Sequence, residues 1–351
     1  MGQKQNIQGA DARHTSSDAV ALKTHNAGAF TVGDEATEVS VDTQTLSLIF
    51  GFQPNENWNI YAGPVYQTVE GNVQLRGTAY GPYGGFLCTS IGTTDRCNKA
   101  DSSLGKDHNY KGYKAQIKED SSVGWLAGLA SQIPEIALKA SLTYRSEIDH
   151  KTNINEELPV TVSATASAFP ITAAFYETNR SSKVTTPQSV NLDLQSGIME
   201  NTIAFAQLRW VDWSSFEIRP HQFNQLSKVL YASKNVPSNF ALVAYDKDQI
   251  SANLGVARKF NEQWAGTLMV GWDSGAGNPV STLGPTDGYW SAGLDGQFSP
   301  TPQTFIQAGV KYFWLGDAKS QVASDFGTDK YIANFNDNHA IGYSLKMGYR
   351  F

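Results

Sequence analysis

The carboxyl-terminal residues alternate strictly between large apolar side chains and small or charged ones. In residues 341–351, every odd position from Ile341 to Phe351 is large and apolar, whereas the even positions include Lys346 and Arg350. Because successive side chains of a β-strand point to opposite faces, this segment forms one apolar and one polar face as a strand. A helix would scatter Lys346 and Arg350 among the apolar residues. The pattern therefore predicts a two-faced strand.

The same period of two recurs along most of the chain. Near residue 50, for example, Leu46, Leu48 and Phe50 share one face, and Ser47 and Gly51 share the other. Counted in this way, the predicted strands are 41–53, 57–76, 111–131, 135–149, 186–198, 202–214, 246–260, 263–273, 287–298, 303–316 and 340–351.

The predicted connections alternate between short and long. Short ones, rich in turn-forming residues, fall at 54–57, 133–134, 199–201, 261–263 and 299–302. Long polar ones lie between them, at about 77–110, 151–186, 215–245, 274–287 and 317–339; residues 223–230 within one of them are expected to form a short helix. An outer-membrane barrel sorts its connections in this way, into short periplasmic turns and long external loops.

We therefore predict an all-β fold, a transmembrane antiparallel up-and-down β-barrel of about eleven to twelve strands in the cell outer membrane. Bacterial barrels close with an even number of strands, so a twelfth is expected before residue 41, near residues 19–24. The predicted barrel domain covers residues 37–351. Residues 1–36 are expected to be a partly disordered segment that holds a remnant of an early strand and its loop.

Composition changes this picture little. Hydrophobic residues make up 40% of the chain and the mean hydropathy is −0.34, values that by themselves resemble those of a soluble protein. A membrane barrel escapes a hydropathy test because each strand turns only every second residue toward lipid. The net charge of −6 argues against a nucleic-acid partner, which would require a basic face.

Two features of the sequence concern the cellular location of the protein. Cys88 and Cys97 lie in a segment rich in Gly, Thr and Asn, and we expect them to form a disulfide that closes a small loop, which fits an extracytoplasmic location. The first residues, Met-Gly-Gln-Lys, lead into polar sequence without the apolar core of a signal peptide. We therefore expect a mature, trimmed or incomplete chain.

No pattern for catalysis stands out. All six histidines fall in predicted loops or near strand ends and are interpreted as surface residues, and none lies in a nucleophile motif. Paired carboxylates and metal-ligand spacings are also missing from the sequence. We therefore predict no enzyme activity, no metal site and no cofactor.

The predicted inner face carries both cations and aromatic rings. By alternation, Lys139, Arg145, Arg209 and Lys311 point into the lumen, where a cation requires water or a partner. Each either pairs with a nearby Glu or Asp or contacts the carboxylate of a ligand. The inward aromatic residues either fill space or form apolar walls for an amphiphile with an anionic head; they are Phe205, Phe305 and Phe313.

From about residue 37 onward, the chain resembles the FadL family of outer-membrane transporters for long-chain fatty acids and hydrophobic compounds. The most specific stretch is residues 140–148, Ala-Ser-Leu-Thr-Tyr-Arg-Ser-Glu-Ile, followed by the strand pair around 201–214 with Trp210 and Trp213. The resemblance implies a fourteen-stranded barrel, plugged by an N-terminal hatch, that releases its substrate sideways through an opening at a kinked strand. The hatch and about three early strands have no counterpart in this sequence.

The resemblance favours passive uptake of long-chain fatty acids or other hydrophobic compounds through the barrel lumen. A general small-solute porin and an adhesive or structural barrel remain the alternatives. The expected partners are a hydrophobic small molecule, outer-membrane lipid and lipopolysaccharide, and the barrel-assembly machinery, which would recognise the last strand ending in Phe351. A monomer is expected.

Overall fold

A computed structural model of the chain describes residues 31–32, 35–76, 111–157, 181–232, 236–284 and 287–349. Four predicted features lie outside these residues: the twelfth strand at 19–24, the two cysteines Cys88 and Cys97, and Phe351. Across the described ranges, no helix is both long enough and apolar enough to span a membrane.

The dominant structure is one antiparallel sheet of long strands, several of them interrupted by a short break. Its strands in chain order are β3 (Glu38–Ser47) continued by β4 (Phe50–Asn55), β5 (Trp58–Arg76), β6 (Lys111–Ile133), β7 (Leu138–Arg145) continued by β8 (Ile148–Glu157), β9 (Ser181–Thr186) continued by β10 (Ser189–Met199), β11 (Thr202–Val211), β14 (Gln249–Lys259), β15 (Trp264–Asp273), β17 (Tyr289–Thr301), β18 (Thr304–Leu315) and β21 (His339–Tyr349).

The smaller elements belong to the long connections. They are β1 (Thr31–Val32), β2 (Glu35–Ala36), β12 (Glu217–Ile218), helix α1 (His221–Ala232), β13 (Val243–Ala244), β16 (Val280–Ser281), β19 (Ala318–Gln321), β20 (Ala333–Phe335) and short 3-10 helices at Pro134–Ile136, Trp213–Ser215 and Ala323–Asp325. The helix predicted at 223–230 is thus confirmed and is longer than expected.

Sequence neighbours are sheet neighbours throughout the wall. The strand order is β21-β18-β17-β15-β14-β11-β10-β7-β6-β5-β3, and β4 pairs with β5. This is the up-and-down meander that the alternation predicts, with the same eleven wall strands. Within the described ranges, β3 and β21, the first and last strands of this order, are not paired with each other.

The apolar faces point away from the lumen, as the alternation predicts. On β21, Tyr343 is 81% exposed and Leu345 is 67% exposed, and large apolar side chains are exposed in the same way on the other wall strands. Such a band is stable only against lipid. Aromatic pairs such as Trp264 with Phe298, whose ring centroids lie 4.7 Å apart, are typical of the interfacial girdles of such barrels.

Asparagine side chains shape two of the short turns. The Oδ1 atom of Asn55 accepts hydrogen bonds from the backbone N–H groups of Asn57 and Trp58, at 3.0 Å each. Asn261 does the same for Gln263 and Trp264, at 2.9 Å each. An Asx turn of this kind satisfies backbone donors where the ladder ends.

Pro64 explains the break between β3 and β4. The flanking pairs Ser47 with Val65 and Phe50 with Ala62 place Leu48 opposite Pro64. The N–H of Leu48 donates to the Pro64 carbonyl at 3.1 Å, but Pro64 has no N–H to return the bond. The ladder is therefore interrupted at this point without a change of register.

Two strands extend further outward than predicted. The connection predicted over 151–186 is partly strand, because β8 continues to Glu157 and β9 begins at Ser181. Alternation is hard to recognise here since the buried face of β8 mixes Ile148 and Ile154 with polar residues. Long strands that project beyond the bilayer support the external loops.

The largest apolar core lies at the outer end of the barrel. Helix α1 and the segment from Phe240 to Val243, which we call the outer cap, pack against the inward faces of β5, β6 and β8. Phe223 of α1 is fully buried, and its ring centroid lies 5.0 Å from that of Tyr113 on β6. The outer cap covers this side of the barrel mouth.

A polar cluster on the same strands contains His150, whose predicted surface location is wrong. His150 on β8 is fully buried, with Nε2 3.1 Å from Gln67 Oε1 and Nδ1 3.2 Å from Asp120 Oδ2. The Thr186 hydroxyl donates to the same Gln67 oxygen at 2.6 Å. These side chains link β5, β6, β8 and β9.

Candidate substrate path through the barrel

Three inward cations lie at one level of the wall. Arg145, Arg209 and Lys311 are each the eighth residue of a strand that begins at a short turn, namely β7, β11 and β18. With a rise of about 3.3 Å per residue and a tilt near 40°, this level lies roughly 18 Å from the periplasmic turns. The three cations therefore encircle the outer half of the lumen.

No described carboxylate lies within 4 Å of these cations. Arg209 donates from Nη1 to Asn191 Oδ1 at 3.4 Å, and Lys311 donates from Nζ to Asn253 Oδ1 at 3.0 Å. The pairing with Glu or Asp that we considered is absent for them in the described part of the chain, and Arg145 likewise has no ion pair there. The hydrogen-bond partners of Arg209 and Lys311 are neutral amides, and Asp295 attracts Lys311 only from beyond ion-pair distance.

Glycines let Lys311 lie flat along the inner wall. A Cβ atom added to Gly293 would lie 3.3 Å from Lys311 Cγ, and one added to Gly271 would lie 3.4 Å from Nζ. The lysine crosses from β18 over β17 and β15 to reach β14. Larger residues at these two positions would push its ammonium group toward the centre of the lumen.

The three predicted phenylalanines are spread along the path rather than gathered in one pocket. Phe305 lies near the periplasmic turn over Gly348, and Phe205 lies over Gly255. Phe313 lies toward the outer end, with its ring centroid 5.2 Å from that of Tyr289. Each provides an apolar surface at a different height of the lumen.

A cavity of about 460 Å³ occupies the periplasmic half of the lumen. Lys139 and Phe205 line it together with Asp193 and Gln207. The Gln207 amide donates from Nε2 to Asp193 Oδ1 at 3.1 Å. Lys139 therefore belongs to a lower and more polar compartment than the other three cations.

A second cavity, of about 270 Å³, lies at the outer mouth. The aromatic side chains of Trp213, Tyr245, Tyr289 and Phe313 line it together with Asp273. Sequence reasoning missed this site because its residues come from connections far apart in the chain. The signal nearest to it was Trp213, at the end of the strand predicted at 202–214, where the structure has a 3-10 helix instead.

Tyr245 belongs to an aromatic cluster beside this outer cavity. Its ring centroid lies 5.1 Å from that of Trp213 and 5.8 Å from that of Phe216. Burial in this cluster raises the pKa of the Tyr245 hydroxyl to about 12. The hydroxyl therefore stays neutral at physiological pH.

The described residues contain no group of three or more His, Cys, Asp or Glu side chains that could hold a metal ion.

The sequence profile of the family described as "Outer membrane protein transport protein (OMPP1/FadL/TodX)" matches residues 17–351. The chain belongs to this family. The predicted family, fold class and outer-membrane location are thereby confirmed.

Solved structures agree with this assignment at the level of the fold. A FadL homologue from Pseudomonas aeruginosa superposes with a TM-score of 0.57 at 16% identity, over 81% of this chain and 62% of the other. The toluene transporter TbuX from Ralstonia pickettii gives 0.50 at 9% identity, over 92% and 72%. The chain thus spans about three fifths of the length of the first relative. No curated protein matches the sequence significantly.

Proposed function

We propose that the protein is a passive channel for hydrophobic molecules in the outer membrane and that long-chain fatty acids are among its substrates. The observation that carries this proposal is the level of cations formed by Arg145, Arg209 and Lys311, none of which forms an ion pair with a described carboxylate. Apolar rings lie above and below that level, at Phe313 and Phe205.

Electrostatics explains why an anionic head would stop at this level. A cation in a narrow lumen loses part of its hydration, and a neutral amide restores less than a carboxylate would. Hydrogen bonds from a guanidinium to a carboxylate are about twice as strong as those between neutral groups. Arg145 on β7 and Arg209 on β11 are separated by β10 alone, so one carboxylate between them could accept from both.

The apolar tail requires a different surface. Phe205 is the fourth residue of β11 and Arg209 the eighth, so this ring lies on the periplasmic side of the cations and borders the lower cavity. A tail that points toward the periplasm would contact Phe205 and then Phe305. The head and the tail of an amphiphile would thus bind at different levels of the same wall.

The experiment compares Arg145→Ala and Arg209→Ala with wild type by titration of a fluorescent long-chain fatty acid. Loss of a charged hydrogen bond of about 1.5–3 kcal/mol predicts a dissociation constant at least about tenfold higher. Arg258→Ala is the matched control, because Arg258 is exposed and contacts Met199 at 3.6 Å. Unchanged affinity in both lumenal variants, or an equal loss in the control, would reject the role of these arginines.

An uncharged aromatic compound is the second candidate substrate. TbuX is described as a toluene transporter, and the outer cavity of this chain has aromatic walls. Toluene has no head group for the arginines, so its passage should not depend on Arg145 or Arg209. Toluene uptake by proteoliposomes that contain wild-type protein, compared with protein-free vesicles, tests this candidate directly.

A further inference from the structure

The outer cavity combines apolar walls with one buried acid. Trp213 and Tyr245 form its outer side, Tyr289 and Phe313 its barrel side, and Asp273 ends β15 beside them. Its volume of about 270 Å³ exceeds that of cavities known to hold a benzene ring, which are near 150 Å³. The space therefore suits a compact ring rather than a long chain.

Asp273 has an oxygen that no described residue satisfies. The side chain is buried, with the residue only 7% exposed, and Oδ1 accepts from Gln249 Nε2 at 2.8 Å and from the Gly275 N–H at 2.9 Å. Oδ2 has no hydrogen-bond partner in the described chain, and no described cation lies within 4 Å. Because Asp273 lines the cavity and Oδ2 is not among the fully buried oxygens, this oxygen is open to a donor from outside the chain, either water or a ligand.

Two glycines hold the acid in position. Gly275 and Gly288 have φ values of +68° and +67°, which side chains other than glycine rarely adopt. A Cβ atom at Gly288 would lie 2.1 Å from the Asp273 carbonyl oxygen. The carboxylate is therefore fixed before any ligand arrives, and such preorganisation lowers the entropic cost of binding.

We propose that this cavity is a second binding site, for a compact aromatic molecule that carries a hydroxyl group, such as a phenol. The ring would lie among Trp213, Tyr245 and Phe313, and the hydroxyl would donate to Asp273 Oδ2. A fatty-acid carboxylate is disfavoured here because it would meet Asp273 and, at the exposed rim, Asp246. The described lining of the outer cavity thus carries two acids and no cation, although Lys311 lies nearby, with Nζ 5.2 Å from the centroid of the Phe313 ring.

This site rests on the proposed role of the barrel as a channel for hydrophobic molecules, but it does not involve Arg145 or Arg209. The test uses full-length protein in lipid nanodiscs and calorimetric titration with 4-methylphenol, toluene and benzylamine. Wild type should bind 4-methylphenol about tenfold more tightly than toluene, because only the phenol donates to the acid.

Asp273→Leu should abolish that preference, with 4-methylphenol binding at least about tenfold more weakly and toluene changing by less than about threefold. Ala340→Phe, which fills the cavity from β21, should weaken both ligands without touching the acid. Asp329→Leu, at an exposed acid outside the cavity lining, is the control and should leave both affinities as in wild type.

Retention of the phenol preference in Asp273→Leu, or its equal loss in Asp329→Leu, would overturn the proposal. Tighter binding of benzylamine than of 4-methylphenol would also overturn it, in favour of a cation site. A parallel titration with oleate separates the two proposals. Binding of 4-methylphenol without oleate defeats the fatty-acid proposal alone, and binding of oleate without 4-methylphenol defeats this one alone.

Discussion

Glu156 is the side chain through which β8 holds the outer cap. Its carboxylate accepts three hydrogen bonds, from the Tyr113 hydroxyl at 2.7 Å and from the N–H groups of Gln222 and Phe223 at 2.8 and 2.9 Å. These two N–H groups belong to the first turn of α1 and have no partner within the helix. The negative charge also lies at the positive end of the helix dipole.

The change Glu156→Gln preserves size but removes the charge and one acceptor. An amide NH₂ group would replace one carboxylate oxygen and would face a backbone donor. Hydrogen bonds to charged groups contribute about 1.5–3 kcal/mol, and a charge at a helix N-terminus contributes roughly 0.3–1 kcal/mol. Because Glu156 is buried, screening by water is weak, and we expect the cap to lose about 2–3 kcal/mol.

Hydrogen–deuterium exchange of a peptide that covers α1 measures this loss directly. A loss of about 2–3 kcal/mol in the free energy of local opening corresponds to exchange roughly 30- to 150-fold faster. Glu157→Gln is the matched control, because Glu157 is the next residue on β8 and is exposed. Unchanged exchange in Glu156→Gln, or equal acceleration in the control, would refute the view that this carboxylate anchors the cap.

Two further predictions concern the lumen wall and the outer loops. Gly255→Ala should lower stability by roughly 1–3 kcal/mol in denaturant unfolding, since its new methyl group would lie 2.2 Å from the Phe205 ring; Gly296→Ala, with no atom within 4 Å, should be near neutral, and equal unfolding midpoints would contradict this reasoning. Burial of Tyr245 beside Trp213 raises its pKa from 10.0 to about 12, so its contribution to stability is complete below about pH 10 and declines as the pH rises toward 12. Tyr245→Phe should show a smaller decline between those pH values in guanidinium unfolding, and an identical decline in both proteins would contradict the shift.

Alternation predicted the wall because every strand obeys the same local geometry. Alternation directs Leu345 of β21 toward lipid and Lys311 of β18 toward the lumen. Both directions follow from the pleating of the backbone alone. The inward direction of Arg145 and Arg209 could be predicted for the same reason. Whether these cations have partners could not, because the answer depends on residues from neighbouring strands.

His150 and Asp273 show where the pattern fails. Both fall where a strand ends or extends outward, and in the sequence they resemble ordinary polar residues near loops. His150 is buried because Gln67 and Asp120 from two other strands surround it. Asp273 lines a cavity because three distant connections meet beside it. A period of two along one strand contains no information about contacts between segments that are far apart in the chain.

The sequence by itself determined which residues form the barrel wall and which face of each strand meets lipid. Those properties depend on one-residue steps along a strand and on the preference of apolar side chains for hydrocarbon. Only the tertiary structure decided that Glu156 binds the first turn of α1, that Arg145, Arg209 and Lys311 form no ion pair with a described carboxylate, and that Asp273 lines the outer cavity. These are contacts between segments far apart in the chain, and local periodicity places no constraint on how such segments pack.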